Sequence, residues 1–397
     1  MSELAAVIDT RGVVRRTMRA AVLVDVGCIK VRDVPRLEPS PTEVVVRVEA
    51  VGLCGTDLHI VAGHANYNRD ALGRPVPLST HPQILGHEIA GVIKEIGADV
   101  RDLAPGDRVV VDQGRTCVSE RRSPRCEYCQ TGDSHQCEYY REHGITDLPG
   151  GFAEFVTVPA INAVPLHSSL APECAALTEP LGCVIHSMDM VGRARARYAF
   201  TERDGGQRAQ TLLVCGGGPA GLLFVQYLRQ VANYDGPLLL SEPNAMKRFL
   251  AERWGAETID PTARDLAERV RDRTSGRGIE LLIEASGSGN VFREIPGLIR
   301  KQATILLYGH GHAGVDLSVM NQVQFLEPTL VSPVGASGGH GEDGRPLTYE
   351  RALRLIEGGT IDVAPLVTHR YRSLEAVATA FAGDHRRADY IKGVVLQ

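Results

Sequence analysis

Side chains that bind transition metals and carry protons are concentrated in two short segments of this chain. The first runs from Cys54 to His59, and the second is the pair His87-Glu88. A thiolate, an imidazole and a carboxylate suit Zn²⁺, and a catalytic zinc needs three protein ligands and one open position. The two segments therefore predict a catalytic zinc site. Its candidate residues are Cys54, Thr56, Asp57, His59, His87 and Glu88.

The residues beside the ligands could serve the chemistry of an alcohol. The Thr56 hydroxyl can take a proton from a substrate and pass it to His59, whose unperturbed pKa near 6.5 suits a relay to solvent. The alternative is that Thr56 and His59 are ordinary turn residues. Asp57 is the expected acceptor for the ring N–H of His87, which would fix the tautomer of that ligand.

A second cluster has four cysteines and no other candidate ligand. Four thiolates with no vacant position are typical of a closed, tetrahedral structural zinc. Disulfides are disfavoured because the sequence has no secretory character and its nine cysteines are an odd number. A redox CxxC is also disfavoured, since the pair lies in a charged, irregular loop. The four residues are Cys117, Cys126, Cys129 and Cys137.

A third motif predicts a dinucleotide site. An apolar run from Thr211 ends in a GxGxxG pattern and continues at helical spacing, which is the strand–turn–helix context that this motif needs. The glycines allow the tight turn, the approach of the pyrophosphate and the packing of helix on sheet, while the helix N-terminus faces the phosphates. The residues of this turn are Gly216, Gly218, Pro219, Ala220 and Gly221.

The next predicted strand, 237–241, is followed by an acidic residue, Glu242. A carboxylate at that point binds the ribose hydroxyls and repels a 2′-phosphate, so the sequence predicts NAD rather than NADP. Lys247 and Arg248 follow closely, and Lys247 is a further candidate for cofactor binding.

With these motifs in order, the chain resembles the zinc-dependent medium-chain dehydrogenases/reductases, which include alcohol, sorbitol, glucose and threonine dehydrogenases. The resemblance runs from about Met18 to the C-terminus, through Gly86-His87-Glu88, Gly106-Asp-Arg-Val and the Rossmann turn. It implies a GroES-like all-β catalytic domain, a Rossmann domain with a doubly wound parallel sheet, and an α/β fold class. It also implies two zinc ions per chain and a homo-oligomer, a dimer or tetramer.

Within the family, Thr178-Glu179-Pro180-Leu181 is similar to the polyol and sugar dehydrogenase branch, in which a glutamate replaces a zinc-binding cysteine. The resemblance thus adds Glu179 to the candidate ligands, and the choice between Glu88 and Glu179 as the direct ligand stays open. Two departures are an insertion between Cys117 and Cys126 and a long loop at 66–80, which should overhang the catalytic zinc.

The expected organisation is an N-terminal arm (1–17), a catalytic domain (18–184, with the structural-zinc lobe at 113–140), a Rossmann domain (185–340) and a return to the catalytic domain (341–397). The chain has 397 residues, of which 43% are hydrophobic, and this composition is typical of a cytoplasmic enzyme. Its net charge of -5 argues against nucleic acid as a partner. No apolar run approaches the ~20 residues of a membrane span, and the first residues lack the apolar segment of a signal peptide.

The sequence therefore predicts a dehydrogenase that transfers hydride between NAD and the secondary hydroxyl of a polyol, sugar, cyclitol or hydroxy-amino acid. One alternative is an NAD(P)-dependent reductase of a small aldehyde or ketone, with Arg69 and Arg74 of the long loop pairing with an anionic substituent. Solvated surface arginines are, however, the commoner case for such a loop. A more distant alternative is a redox-inactive protein that keeps the fold and binds zinc or a partner.

Overall fold

The computed structural model describes residues 16–200, 207–263, 265–312 and 314–397. Most of the N-terminal arm expected at 1–17 lies outside these ranges. The strands, numbered along the chain, are β1 (Thr17–Asp25), β2 (Cys28–Pro35), β3 (Glu43–Gly52), β4 (Gln83–Ile84), β5 (Glu88–Ile96), β6 (Arg108–Val111), β7 (Gly114–Arg115), β8 (Arg141–Glu142), β9 (Phe155–Pro159), β10 (Ala163–Pro165), β11 (Tyr198–Ala199), β12 (Gln207–Arg208), β13 (Leu212–Cys215), β14 (Leu238–Ser241), β15 (Glu257–Ile259), β16 (Ile279–Glu284), β17 (Ile299–Leu307), β18 (Thr329–Val331), β19 (Val367–Tyr371) and β20 (Lys392–Leu396).

The α-helices are α1 (Gly55–Val61), α2 (Glu127–Thr131), α3 (Pro172–Ala175), α4 (Thr178–Arg193), α5 (Pro219–Gln226), α6 (Ala245–Arg253), α7 (Leu266–Arg273), α8 (Gly289–Leu298), α9 (Val319–Gln324), α10 (Leu347–Glu357) and α11 (Ala376–Phe381). Helix α5 continues as a π-helical turn over Tyr227–Val231. Single 3₁₀ turns occupy Ser134–Gln136, Ala160–Asn162, Ala364–Leu366 and Asp384–Arg386.

The described chain forms two compact units. The first contains the described residues up to Glu179 together with Ser337–Glu357 and Val367–Gln397, and the second contains Pro180–Ala336 and Gly358–Leu366. The short segment Gly358–Leu366 joins the second unit because the Gln226 side chain exchanges two hydrogen bonds with the backbone of Asp362, at 2.8 and 3.0 Å.

The first unit is built on a seven-stranded sheet. Strands β10, β6, β5, β3, β20 and β19 lie side by side in that order, and β9 also pairs with β3. Strands β3 and β5 are rich in β-branched residues, and Val44, Val45 and Val46 of β3 are fully buried, as expected for central strands. Because β19 and β20 come from the end of the chain, the C-terminal segment completes the sheet that the N-terminal half begins.

The second unit is a six-stranded parallel sheet in the order β15-β14-β13-β16-β17-β18. Sheet order reverses at β13, which makes the carboxyl end of this strand a topological switch point, the place where open α/β sheets bind ligands. Its core is formed by buried aliphatic residues such as Leu213, Leu239 and Leu282.

The predicted fold class, a GroES-like unit with a Rossmann-type parallel sheet, is confirmed. The strand predicted at 237–241 is found as β14, Leu238–Ser241. Helix α4 begins at Thr178 with Pro180 in its first turn, because proline is tolerated there, where backbone N–H groups lack partners. Among the described residues, none of the helices combines the length and apolar character that a membrane span requires.

Candidate active site

Antiparallel pairing of β3 with β5 places the predicted metal ligands together. Gly52 at the end of β3 lies opposite Glu88 at the start of β5. Residues that follow β3 therefore lie beside those that precede and begin β5. The sulfur of Cys54, a ring nitrogen of His87 and a carboxylate oxygen of Glu88 lie within 4.8 Å of one another. His87 and Glu88 are buried, whereas Cys54 is half-buried, so this cluster has one side open to substrate.

Asp57 organises the cluster from the first turn of α1. Its carboxylate accepts hydrogen bonds from the backbone N–H groups of Cys54 (3.0 Å) and Gly86 (3.3 Å). Its Oδ1 atom lies 3.5 Å from Nδ1 of His87, which is longer than a good hydrogen bond. Burial alone lowers the pKa of His87, but the negative charges of Asp57 and Cys54 outweigh it and raise that pKa. Asp57 thus holds the polypeptide on both sides of the cluster.

The two proton-carrying candidates lie on the same helix as Asp57. The Thr56 hydroxyl is 3.7 Å from the Cys54 sulfur. The side chains of Thr56 and His59 are both half-buried, and the imidazole centre of His59 is 6.1 Å from that of His64. Helix α1 therefore brings the Thr56 hydroxyl to the Cys54 sulfur and carries the half-buried His59 imidazole one turn further on.

Glu88 has a partner that the sequence did not reveal. Its Oε1 atom accepts a hydrogen bond from Nζ of Lys392, 2.5 Å away, and both side chains are buried. Its Oε2 atom is buried and has no hydrogen-bond partner among the described residues, and the same holds for Nδ1 of His87. Gly52 makes room for this carboxylate, because a Cβ atom on that residue would lie 1.9 Å from Oε2. A sulfur, an imidazole and an orphaned carboxylate oxygen are a donor set that fits zinc.

Glu179 does not lie in the compact set of Cys54, His87 and Glu88. Its Oε1 atom accepts a hydrogen bond from the side-chain amide of Gln113 at 3.1 Å. The same amide nitrogen donates to Oε1 of Glu142 at 3.1 Å, and the Gln113 oxygen accepts from the hydroxyl of Tyr349. Sequence reasoning missed Gln113, Glu142 and Tyr349, because nothing local to each residue indicated that they would meet.

The long loop is a tight, ordered turn. The side chain of Asn66 donates to the carbonyl of Val76 at 2.8 Å, and the side-chain oxygen of Asn68 accepts from the backbone N–H of Asp147 at 2.5 Å. At its tip, Arg74 pairs with Asp70 at 2.7 Å. Arg69 and Arg74 are exposed, and the pairing of Arg74 with Asp70 favours the surface interpretation over anion binding.

The four remaining candidate ligands form a separate buried cluster. The sulfurs of Cys117, Cys126, Cys129 and Cys137 lie within 4.8 Å of one another, and all four are free thiols. Cys137 lies 3.6 Å from Cys117 and 3.9 Å from Cys126. Zn–S bonds of about 2.3 Å in a tetrahedron separate sulfurs by roughly 3.8 Å, so the spacing fits a structural zinc. The insertion after Cys117 therefore does not displace this cysteine from the cluster.

The glycine-rich turn has the geometry of a phosphate-binding loop. Gly216 follows β13 with a φ of +99°, which only glycine adopts without strain. Gly218 is the N-cap of α5, and Pro219 and Ala220 begin that helix. At Gly221 a Cβ atom would lie 1.8 Å from the carbonyl oxygen of Gly216, so the helix can approach the turn only because this residue has no side chain.

Glu242 lies beside this turn, directly after β14. Its Oε2 atom accepts from the backbone N–H of Gly217 at 2.6 Å, and its Oε1 atom accepts from that of Asn244 at 2.9 Å. Arg248 donates to the carbonyls of Glu242 and Pro243 and pairs with Asp260 at 3.1 Å. Lys247 lies in the first turn of α6, where its backbone N–H is capped by Asn244. The carboxylate is thus fixed beside the glycine-rich turn.

Comparison with known proteins agrees with this geometry. Residues 40–168 match the family described as alcohol dehydrogenase GroES-like domain, and residues 219–357 match zinc-binding dehydrogenase. The L-threonine 3-dehydrogenase of Pyrococcus horikoshii is 32% identical over 352 residues, which cover 88% of this chain and 89% of the relative. The L-galactonate-5-dehydrogenase of Escherichia coli is 27% identical, and the match covers 92% of this chain and 94% of the relative.

Solved structures show the same fold. A zinc-binding dehydrogenase from Sinorhizobium meliloti, bound to NADP, matches with a TM-score of 0.76 and 30% identity over 96% of this chain and 100% of the other. Galactitol-1-phosphate dehydrogenase from Escherichia coli matches with a TM-score of 0.75 and 24% identity over 96% of this chain and 100% of the other, a similarity of fold alone.

Proposed function

Since the chain belongs to the zinc-dependent medium-chain dehydrogenase superfamily, we propose that it oxidises a secondary alcohol at a zinc held by Cys54, His87 and Glu88. The enzyme is an alcohol-type dehydrogenase that uses a nicotinamide cofactor and acts on small molecules. The observation that carries the ligand assignment is the convergence of these three donors within 4.8 Å, with an orphaned carboxylate oxygen on Glu88.

A zinc bound at these residues would lower the pKa of a substrate hydroxyl, and a nicotinamide cofactor would supply the hydride acceptor. The protein's own residues hold the reactants and move the proton. The Thr56 hydroxyl accepts the substrate proton while it gives up its own, which would pass by way of the cofactor's ribose hydroxyls to His59 and from that imidazole to solvent. The Asp57 carboxylate lies 3.5 Å from Nδ1 of His87, and Lys392 holds Oε1 of Glu88, which leaves Oε2 of that carboxylate as a potential metal ligand.

We infer a second, structural zinc at Cys117, Cys126, Cys129 and Cys137, and NAD as the preferred cofactor. The support for NAD is Glu242, whose carboxylate lies beside the glycine-rich turn and would repel a 2′-phosphate. Because a similar dehydrogenase was solved with NADP bound, the preference for NAD over NADP needs a direct test. We assign the third ligand to Glu88 and not to Glu179, because Glu179 lies outside the compact donor set and accepts a hydrogen bond from Gln113. The cytoplasmic location stays a prediction.

We also infer that two copies associate through the edge of the parallel sheet in the second unit. β18 is the last strand of that sheet, and within the described residues no strand pairs with its outer edge. Four apolar side chains on β18 or within about a dozen residues of it in the sequence are exposed, Leu317 (75%), Phe325 (86%), Leu330 (48%) and Val334 (57%). A second copy of this strand would cover both the unpaired backbone and the apolar patch. Light scattering should show a dimer or tetramer that Phe325→Glu weakens, and a monomeric wild type would contradict this.

The test of the activity is direct. Zinc-loaded protein is mixed with NAD or NADP and a panel of polyols, cyclitols and hydroxy-amino acids such as L-threonine, and reduced cofactor is followed by absorbance. We expect Cys54→Ser to abolish turnover and leave cofactor binding intact, because the ligand set is lost while the glycine-rich turn is untouched. A Cys54→Ser protein with wild-type turnover would refute the assignment, and intact cofactor binding by an inactive wild type would favour the redox-inactive alternative.

A further inference from the structure

The side chain of Glu284 is a fully buried carboxylate at the carboxyl end of β16. In the register of the parallel sheet it lies beside Cys215, the last residue of β13. Its Oε1 atom accepts hydrogen bonds from the backbone N–H groups of Ser286 (2.9 Å) and Gly287 (3.1 Å) and from the Ser286 hydroxyl. In the part of the chain that the structure describes, neither lysine nor arginine forms an ion pair with Glu284. A buried charge is costly unless hydrogen bonds satisfy it, so each of its donors matters.

His312 supplies a further donor and joins two loops. It ends the β17 loop (308–312), and its Nε2 atom lies 2.7 Å from Oε2 of Glu284. Its backbone N–H donates to the carbonyl of Gly287, in the loop that follows β16, at 2.9 Å. Its ring packs against Phe292 of α8, with the ring centres 5.3 Å apart. One residue thus fixes the β17 loop to the loop after β16 through both its side chain and its backbone.

The joined loops pack tightly beside the glycine-rich turn. A Cβ atom on Gly216 would lie 3.0 Å from Cα of Ser286, so the loop after β16 is in direct contact with that turn. A Cβ atom on Gly309 of the β17 loop would lie 2.3 Å from Oε2 of Glu284. The glycines therefore permit an arrangement in which the carboxylate lies between the two loops.

The strand order indicates which part of the cofactor these loops would meet. In a doubly wound sheet a dinucleotide binds across the point where the strand order reverses. Here β14, which Glu242 follows, lies on one side of β13, and β16 and β17 lie on the other. Since Glu242 is the proposed partner of the adenosine ribose, the nicotinamide half should lie over the carboxyl ends of β16 and β17.

On the basis of the proposed dehydrogenase function, we propose that His312 is a positioning residue for the nicotinamide half of the cofactor. By bonding to Glu284 it holds the two loops in one arrangement before the cofactor binds, so that less binding energy is spent on ordering them. Loss of this donor leaves an oxygen of the buried carboxylate unsatisfied and loosens the β17 loop. The adenosine half, held at the glycine-rich turn and Glu242, does not depend on the bond.

The experiment compares NADH with ADP-ribose, in which a hydroxyl replaces the nicotinamide, on the zinc-loaded full-length protein. Fluorescence titration gives the Kd of NADH, and competition gives that of ADP-ribose. His312→Phe keeps a ring against Phe292 and removes the donor to Glu284. It should raise the Kd of NADH about tenfold and change that of ADP-ribose by less than about twofold. His81→Phe, at an exposed histidine of the first unit, should change neither.

Equal weakening of both ligands in His312→Phe would overturn the proposal, because it would show a general loss of structure. Unchanged NADH binding would overturn it as well. If His312→Phe does not fold, Glu284→Gln removes the charged acceptor and should show the same selective loss of NADH affinity. A wild type that binds ADP-ribose as tightly as NADH overturns the role of His312 without any variant.

These outcomes are separate from the test of the activity. A wild type that oxidises an alcohol but shows no selective effect at His312 keeps the dehydrogenase function and loses only the positioning role. A zinc-loaded wild type that binds neither NADH nor NADPH overturns both.

Discussion

Lys392 Nζ lies 2.5 Å from Glu88 Oε1, and both side chains are buried, although the two residues are 304 positions apart in the chain. The pKa of Lys392 is raised, because the charges of Glu88 and Cys54 outweigh the opposing effect of burial. A raised lysine pKa means that the pair stabilises the folded state throughout the neutral range and is lost only at strongly alkaline pH. The last strand of the chain thus controls the charge environment of a proposed zinc ligand.

Removal of that lysine should destabilise the zinc-free protein most. Lys392→Met leaves Glu88 buried without its cation, which typically costs about 3–5 kcal/mol of unfolding free energy. Zinc supplies Glu88 with another cation, so the loss should be smaller in the zinc-loaded protein. Urea unfolding with and without zinc measures both values. Lys392→Arg keeps the charge and is the control, and a Lys392→Met protein as stable as wild type without zinc would contradict the prediction.

The four-cysteine cluster should contribute stability and not chemistry. Metal analysis of the wild type should return two zinc ions per chain, and Cys129→Ser should lose one of them. Its melting temperature should fall, while kcat of the folded fraction stays near the wild-type value. Cys28→Ser, at a half-buried thiol outside both clusters, should keep both ions. Rapid modification of Cys117 and Cys126 by a thiol reagent in the native wild type would show that the site does not form.

Glu242 should determine the choice of cofactor. Glu242→Ala removes the ribose acceptor and the negative charge, so it should weaken NAD binding and raise the relative affinity for NADP by about tenfold, or 1.4 kcal/mol. Fluorescence titration with NADH and NADPH measures the two dissociation constants. Asp272→Ala, at an exposed position of the same unit, should change neither. A wild type that binds NADPH tenfold more tightly than NADH, a difference of about 1.4 kcal/mol, would refute the proposed role of Glu242.

His143 should make the protein sensitive to acid. Burial lowers its pKa to about 4, against an ordinary value of 6.5, and its Nε2 atom is buried without a partner. The unfolded chain therefore binds an extra proton between those pH values, and stability is full above pH 6.5 and falls as the pH drops toward 4. At pH 5 this one group should cost about 2 kcal/mol.

Unfolding measurements at pH 7.5 and pH 5 test this. His143→Phe should lose less stability on acidification than the wild type, because phenylalanine does not titrate. His81→Gln removes an exposed histidine and should behave like the wild type. The same acid response in all three proteins would show that His143 does not titrate as its burial indicates.

The sequence alone was sufficient for the features that depend on neighbouring residues. Gly216 and Gly221 are required by a tight turn and a close helix contact, both of which are local events, so the nucleotide-binding turn could be predicted. Cys126 and Cys129 lie on one short helical turn, and strand β13 reads as a continuous apolar run because a central parallel strand is buried on both faces. Because the fold class also shows in such local patterns, it could be predicted correctly from the sequence.

Contacts between distant segments were decided only by the tertiary structure. Lys392 meets Glu88 because β20 pairs with β3 and β3 pairs with β5. No local sequence pattern encodes the register of these strand pairs. Gln113 bridges Glu142 and Glu179 because a loop, a hairpin and the start of α4 converge, each from a different part of the chain. Side-chain types and spacing determine which chemistry is available. Strand pairing and packing determine which charges surround it, since electrostatic interactions depend on distances in space and not along the sequence.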